Sequence, residues 1–204
     1  MAKATNARRE KGNERRRRVL SVTKDLLVER PLEAISLADI AHAANIPVSS
    51  LYHFYPNVLS VYSELMPGFS DELGEYLLKS IGHLKPESWQ TLVDEGIENC
   101  AEFYRANPAY QQLILSGKAP AQVKSADREG DARLAQVFLL FMRQSFNLPN
   151  IPEIDTVFFN AIEVVDLFLS LDVMKNGLIT ASGVEEAKRA CKSYLRTYLP
   201  DVLY

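Results

Sequence analysis

The residues with the clearest chemical character are four consecutive arginines, Arg15 to Arg18, near the N-terminus. A guanidinium group presents its N–H donors in a rigid fork that matches phosphate oxygens. Residues 1–30 carry ten Lys/Arg and four Asp/Glu, a net charge of +6, whereas the rest of the chain carries 13 Lys/Arg and 22 Asp/Glu, a net charge of −9. A basic end on an acidic body indicates a protein that turns one region toward nucleic acid. The alternative is that the arginines only form a solvated helix face.

The sequence contains little that would support catalysis or metal binding. The two cysteines, Cys100 and Cys191, are too few for a disulfide framework and suit a reducing compartment. The three histidines, His42, His53 and His83, lack the spacing of metal ligands, and there is no glycine-rich phosphate loop or GxSxG motif. We therefore expect no enzyme, no metal and no cofactor. Without a membrane-length apolar run or an apolar segment after the basic start, we expect a cytoplasmic protein with no membrane contact.

The stretch ISLADIAHAANIPVSSLYHFYPN, which contains no Lys or Arg, predicts two short helices joined by a tight turn. Ser36 suits the N-cap of the first helix, with Asp39 as its capping-box partner. Asn45 tolerates the left-handed conformation that ends a helix, and Pro47 suits the start of the next one. Asn57 can cap the helix that follows. With a third helix behind it, such a pair is a helix-turn-helix unit, whose second helix can enter the major groove of DNA.

The same stretch resembles the DNA-binding domain of TetR-family transcriptional repressors. The resemblance is carried by Asp39-Ile40-Ala41, Ala44-Asn45-Ile46, Leu51-Tyr52 and Tyr55-Pro56-Asn57, by the upstream segment RVLSVTKDLLVE, and extends over about residues 15–65. Positions where the family often has Gly or Lys hold Pro31, Asn45, Val48-Ser49 and Val58 instead. The resemblance implies an all-helical C-terminal domain that binds a ligand and ends in two dimerisation helices.

Because residues 31–60 hold no basic side chain, we expect phosphate contacts from the arginines, backbone N–H groups, Ser36, Tyr52 and His53. Small residues at the leading end of the second helix would meet base edges. Leu51, Phe54 and Tyr55 are expected in the core, and Tyr52 has the alternative of being ordinary surface. The expected DNA-binding residues are Arg15, Arg16, Arg17, Arg18, Ser36, Pro47, Val48, Ser49, Ser50, Tyr52, His53 and Asn57.

Helical periodicity continues to the C-terminus, and no segment alternates with the period of a strand. We predict an all-α fold of about nine helices: a disordered basic arm over 1–13, a three-helix DNA-binding domain over 14–60, and a ligand-binding and dimerisation domain over 61–204. The expected helices are 14–29, 36–44, 47–55, 57–82, 87–106, 108–116, 126–146, 152–175 and 181–199.

The last two of these helices carry more apolar surface than one domain needs, which favours a homodimer. The expected interface residues are Phe158, Ile162, Val165, Val184, Ala187, Cys191, Tyr194, Leu195 and Tyr198. Dense aromatics after residue 85 favour a pocket for a small apolar or aromatic molecule. A polar stripe on 152–175 is either a solvent-facing edge or a polar part of that pocket. The expected pocket residues are Trp89, Phe103, Tyr104, Tyr110, Phe138, Phe141, Asn160, Glu163 and Asp166.

These features favour a ligand-responsive dimeric repressor that leaves a palindromic DNA operator when its effector binds. The alternative is a DNA-bound scaffold of the same fold, regulated by another protein and without a small-molecule effector. A large aromatic cavity with a few convergent polar groups would separate the two.

Overall fold

The computed structural model describes residues 2–203, with side chains from residue 10 onward. This part of the chain forms nine α-helices and contains no strand, so the predicted all-α fold is confirmed. A short 3₁₀ turn, Leu32–Ala34, follows the first helix. The helices are α1 (Ala2–Glu29), α2 (Leu37–Ala43), α3 (Val48–Phe54), α4 (Val58–Ile81), α5 (Trp89–Ala106), α6 (Pro108–Leu115), α7 (Ala121–Ser145), α8 (Ile154–Asn176) and α9 (Ala181–Leu195).

Three helix boundaries differ from the expectation by four residues or more. The backbone is helical from Ala2, where a disordered arm was predicted over 1–13; Ala, Arg, Lys and Glu are good helix formers even without an apolar stripe. α7 begins at Ala121 rather than at residue 126, directly after Pro120. α9 ends at Leu195 rather than at residue 199, because the following residues close into tighter turns ahead of Pro200.

The chain divides into two compact units, Met1–Leu65 and Met66–Tyr204, which we call the N-terminal and C-terminal units. The division lies inside α4, five residues after the predicted boundary at 60/61. Pro67, which cannot donate a helical hydrogen bond, lies close to it.

The N-terminal unit is a three-helix core completed by the first turns of α4. Val19 and Leu27 of α1, Ile40 of α2 and Leu51 of α3 are almost completely buried. Burial of one such side chain stabilises a fold by about 1.5–3 kcal/mol. Tyr62 of α4 is also buried, and its hydroxyl donates a hydrogen bond of 2.9 Å to the carbonyl of Leu32. This core holds the α2–α3 pair rigidly.

The C-terminal unit is built around α8, which packs against both α7 and α9. An aromatic cluster gathers around Phe69, whose ring centroid lies 4.1 Å from that of Tyr110 and 5.5 Å from that of Phe103. α7 approaches α4 closely at Gly130, where an added Cβ would collide with the Ser70 hydroxyl. No helix among residues 2–203 is long and apolar enough to cross a membrane.

Candidate DNA-binding surface and ligand cavities

The start of α2 is held by a complete capping box. The Ser36 hydroxyl accepts a hydrogen bond of 3.2 Å from the backbone N–H of Asp39, and the Asp39 carboxylate accepts one of 2.8 Å from the backbone N–H of Ser36. Arg30 lies 3.2 Å from the same carboxylate. Hydrogen bonds from Ser36, helped by Arg30, lower the pKa of Asp39 to about 2. The predicted cap is therefore confirmed, and the Ser36 side chain, proposed for phosphate contact, is engaged within the protein.

The turn between α2 and α3 is a Schellman motif. The N–H of Ile46 donates to the carbonyl of Ala41 at 2.9 Å, and the N–H of Asn45 donates to that of His42 at 3.0 Å. Asn45 has φ 53°, so its predicted left-handed conformation is confirmed. These bonds fix the direction in which the chain leaves α2 and enters α3.

α3 is a seven-residue helix that is anchored on one side and open on the other. It begins at Val48, after Pro47, and no side chain caps its first N–H groups. Leu51 is fully buried, whereas Val48 and Tyr52 are 42% and 56% exposed. Ser49 and His53 are exposed beside them, and Ser50 is half-buried. The open face of α3 therefore carries small, aromatic and imidazole groups and no carboxylate.

Phe54 was expected in the core, but it is 38% exposed. Leu51 and Tyr55 already fill the interior beneath the last turn of α3, so the expectation was wrong for Phe54 alone. The guanidinium of Arg16 lies 6.0 Å from the centre of the Phe54 ring, at the outer limit of a cation–π contact. The exposed Asn57 was expected to cap α4, and its side-chain oxygen accepts the N–H of Ser60 at 3.0 Å.

The four arginines are all exposed, but they do not form one patch. Arg15 and Arg18 line a surface cavity together with Asn45, Ile46 and Pro47, the turn that leads into α3. Arg18 also lies 3.8 Å from Glu14. Arg16 is directed to the other end of α3, toward Phe54. Arg17 lies about 160° around α1 from Arg15 and about 100° from Arg18, because successive residues of a helix differ by about 100°.

An apolar cavity of about 60 Å³ lies in the C-terminal unit between α4, α5, α7 and α8. Tyr104, Phe138, Phe141 and Asp166, which were expected in a pocket, line it. Asp166 is its only carboxylate among the described residues. The remaining lining residues are mostly aliphatic and were not predicted; they are Leu73, Leu77, Ile81, Val93, Gly96, Ile97, Cys100, Leu134, Val137, Ala161, Ile162, Val165 and Cys191.

Four other residues expected in the pocket do not line this cavity. Trp89 is buried, and its indole N–H donates to the carbonyl of Pro200 at 2.9 Å. Phe103 and Tyr110 pack in the cluster around Phe69. The exposed Asn160 donates to the Tyr194 hydroxyl at 3.3 Å. At the three aromatic positions, the aromatic density of the sequence therefore indicated core packing and not a pocket.

A second cavity, of about 310 Å³, lies on the other side of Asp166 between α7 and α8. Glu163, the ninth expected pocket residue, lines it and lies 3.3 Å from Arg128. Asp127 and Asp131 of α7 also line it, and sequence analysis did not single them out. Their spacing of four residues puts them on one face of α7. Acidic and basic residues are interspersed in this part of the sequence, however, and such a pattern predicts a solvent-exposed helix face.

The expected dimer residues are mostly internal to the C-terminal unit. Phe158, Val165, Val184, Ala187, Cys191 and Leu195 are buried in its own core, and Ile162 lines the apolar cavity. Tyr194 is half-buried and Tyr198 is exposed, with ring centroids 5.5 Å apart. α8 and α9 pack their most regular apolar stripes against each other, so those stripes cannot serve a partner. A different row on α8, comprising Leu167, Leu171 and Met174, is 50% or more exposed.

Comparison with known proteins agrees with this fold and surface. The family described as "Tetracyclin repressor-like, C-terminal domain" matches residues 87–199, more than half of the chain. The chain therefore belongs to the TetR family of transcriptional regulators, which carry a DNA-binding helix-turn-helix.

The relatives differ in how much of the chain they match. The HTH-type transcriptional repressor KstR2 of Rhodococcus jostii (strain RHA1) is 41% identical over 63 residues, which are 30% of this chain and 31% of that protein. A TetR-family regulator from Streptomyces coelicolor is 20% identical, with a TM-score of 0.70 over 91% of this chain and 99% of that one. A TetR regulator from Rhodococcus sp. RHA1 is 16% identical, with a TM-score of 0.68 over 91% and 97%. At these identities the two solved structures show the shared fold.

Proposed function

We propose that this protein is a dimeric transcriptional repressor that holds a palindromic DNA operator with its N-terminal unit and releases it when a small molecule binds its C-terminal unit. The observation that carries the proposal is the open face of α3. Val48, Ser49 and Tyr52 are exposed on this face, while Leu51 on the opposite face is buried in the core. Arg15 and Arg18 border the turn at the leading end of the same helix.

Direct contacts from this surface to DNA bases would discriminate only weakly between base sequences. A serine hydroxyl accepts or donates with several bases, and Val48 can only pack against an apolar edge such as a thymine methyl. Neither provides a bidentate pair. Affinity then depends on phosphates contacted by Arg15, Arg18, Tyr52 and the uncapped N–H groups of α3.

The test replaces Arg15 and Arg18 together with Ala and measures binding to operator and scrambled DNA at several salt concentrations. Both DNAs should lose affinity alike, by about tenfold or more, and the slope of log affinity against log salt should flatten by about 1 for each lost phosphate contact. Arg17→Ala is the control, because Arg17 is an exposed arginine of the same helix that does not line the cavity at the turn into α3. An unchanged slope in the double variant would refute the arginine contacts.

The exposed row on α8 supports the dimer. Leu167, Leu171 and Met174 are spaced by four and three residues, the spacing of a helix-packing seam. Leu171→Arg with Met174→Arg should convert the protein to monomers by light scattering. Leu140→Arg is the control, since Leu140 of α7 is also 50% exposed but lies outside this row. A dimer that survives the double substitution would place the interface elsewhere.

Two subunits related by a two-fold axis would present their α3 helices to half-sites related by a palindrome, about one helical turn apart or somewhat more. Selection of bound sequences from a random DNA pool tests this. Recovered sites without two-fold symmetry would contradict the dimeric mode of reading.

The alternative function, a DNA-bound scaffold without an effector, is favoured by one observation. The apolar cavity encloses about 60 Å³, whereas pockets for drug-sized ligands typically measure about 300–1,000 Å³. A thermal-shift screen against small molecules distinguishes the two functions. Stabilisation by a small molecule that also releases DNA supports the repressor, and the absence of any such compound favours the scaffold.

A further inference from the structure

Three aspartates of the C-terminal unit meet in the second cavity. Asp127 and Asp131 come from α7 and Asp166 comes from α8, and one carboxylate oxygen from each lies within 4.8 Å of the others. Asp131 is 5% exposed, yet it lines the cavity. Among the side chains of residues 10–203, none donates a hydrogen bond to any of the three or forms a salt bridge with them. Buried carboxyl groups normally have a hydrogen-bond partner, so Asp131 is an unusual lining residue for this cavity.

The two cations that line the same cavity, Lys124 and Arg128, lower the pKa values of the nearby aspartates, but by less than burial raises them. Arg128 lies 3.3 Å from Glu163 and is engaged there. Lys124 is exposed at the rim and forms no salt bridge within the described part of the chain. Four carboxylates and two cations line the cavity, which leaves it two charges negative when all are ionised. A bound cation would restore the balance.

The electrostatic consequences extend to the wall of the apolar cavity. Burial, with the other acidic groups nearby, raises the pKa of Asp131 to about 10, that of Asp127 to about 7 and that of Asp166 well above its usual range. On α5, burial together with Asp166 and Asp131 raises the pKa of the Cys100 thiol to about 12. Asp166 therefore acts electrostatically on Cys100, a residue that lines the apolar cavity.

Asp166 is the residue that the two cavities share. The first cavity is lined by Tyr104, Phe138 and aliphatic side chains, and the second by Asp127, Asp131 and the exposed apolar row of α8. A molecule that occupies both spaces needs an apolar part and a positively charged part next to each other. A bare metal ion would use only the acidic side.

We propose that the effector is a small organic cation whose protonated nitrogen is held by Asp127, Asp131 and Asp166 and whose apolar chain enters the cavity beside Tyr104 and Phe138. This inference rests on the proposed function and narrows the effector from an apolar or aromatic molecule to one with a cationic head. The three carboxylates offer an ammonium group one acceptor for each of its three N–H donors.

The experiment measures binding to the full-length protein by calorimetry at pH 7.5, without DNA. The probes are hexylammonium, methylammonium, 1-hexanol and hexanoate, together with MgCl₂ and MnCl₂ alone. Hexylammonium should bind at least tenfold more tightly than 1-hexanol, and hexanoate should not bind. Each buried methylene should contribute roughly three- to fourfold, so methylammonium should be the weaker cation.

Variants locate the site. Asp131→Asn and Asp166→Asn should each weaken hexylammonium binding at least tenfold and leave 1-hexanol within threefold. Glu129→Gln is the matched control, because Glu129 is an exposed acid on the same helix, outside the cavity. Circular dichroism checks that each variant is folded, and Asp127→Asn replaces either variant that is not.

Equal affinity for hexylammonium and 1-hexanol would overturn the proposal. Stoichiometric Mg²⁺ or Mn²⁺ binding that the Asp131→Asn variant loses, without selectivity for the ammonium, would also overturn it, in favour of a metal site. A separate titration of the protein–DNA complex tests release. Ammonium binding without release of DNA would support the site and contradict the proposed repressor, whereas DNA binding without ammonium binding would do the reverse.

Discussion

Asp39 in the N-terminal unit and Asp131 in the C-terminal unit are the same side chain in opposite situations. Asp39 is held by the backbone and hydroxyl of Ser36 and by Arg30, and its pKa falls to about 2. Asp131 is buried between α7 and α8 without such partners, and its pKa rises to about 10. Partners within ten residues of Asp39 supply its interactions, whereas the environment of Asp131 is assembled from distant parts of the chain.

This contrast separates two ways of building a site. The surface around α3 consists of exposed side chains whose positions are set by two local motifs, the capping box at Ser36 and the left-handed turn at Asn45. The acidic cavity consists of carboxyl groups that the packing of α7 against α8 brings together. Burying a charge without a counter-charge destabilises a fold, so a bound cation would stabilise this arrangement.

The largest effect should come from Asp131→Asn. An acid whose folded pKa is raised stabilises the fold below its unfolded pKa near 4 and loses that contribution as pH rises toward its folded pKa. The variant should therefore match the wild type near pH 4 and exceed it increasingly up to about pH 9, by at most about 1.4 kcal/mol per pH unit. Thermal unfolding across this range measures the difference, with Glu129→Gln as the control. A constant difference at all pH values would contradict the burial of an ionisable group.

Gly183→Ala should destabilise the C-terminal unit, which also contains an aspartate, Asp172, that is held by hydrogen bonds from the chain nearby. Asp172 accepts a hydrogen bond of 2.6 Å from the backbone N–H of Thr180, and a Cβ at position 183 would collide with its carboxylate. The substitution should cost about 1–3 kcal/mol, despite the better helix propensity of Ala. Denaturant unfolding measures it, and Ser182→Ala at the exposed neighbouring position should change stability by less than about 0.5 kcal/mol. Equal effects of the two substitutions would contradict the close approach.

Asn45→Ala should destabilise the N-terminal unit by about 1 kcal/mol, because Ala tolerates φ 53° poorly. Asn45→Gly serves as the control and should be neutral or slightly stabilising, since Gly adopts this conformation freely. Equilibrium unfolding of the full chain, followed by a probe in the N-terminal unit, measures both. If Ala and Gly proved equivalent, the left-handed turn would not be a constraint.

Asp39→Asn should have the smallest effect, with a pH dependence opposite to that of Asp131→Asn. A carboxylate with a lowered folded pKa contributes stability above its unfolded pKa, and this contribution is lost as pH falls toward about 2. The variant should therefore be less stable than the wild type at pH 7 and approach it below about pH 3. Thermal unfolding between pH 2 and pH 7 measures the trend, and a difference that widens in acid would refute it.

Local signals in the sequence predicted the α2–α3 pair of the N-terminal unit. The cap at Ser36, the left-handed Asn45 and the buried Leu51 each follow from neighbours within a few residues, and all three have the expected geometry. The motif around them also indicated the TetR family, which the match over residues 87–199 confirms. Helical periodicity predicted every helix of the described chain, with the largest errors at the ends of α1, α7 and α9.

Tertiary structure decided what the apolar face of each helix packs against. A periodic apolar stripe predicts burial but not the partner, so the stripes of α8 and α9, including Phe158 and Cys191, bury each other instead of a second subunit. Phe54 fits the same period as Leu51 yet lies at the edge of the interior, where the core ends. Asp131 and Asp166 are 35 residues apart in the sequence, and the packing of α7 against α8 brings their carboxyl groups together. Gly130, next to Asp131, lets α7 pack closely on α4. Local sequence determines the conformation of a segment, whereas burial of a charge depends on contacts between distant segments.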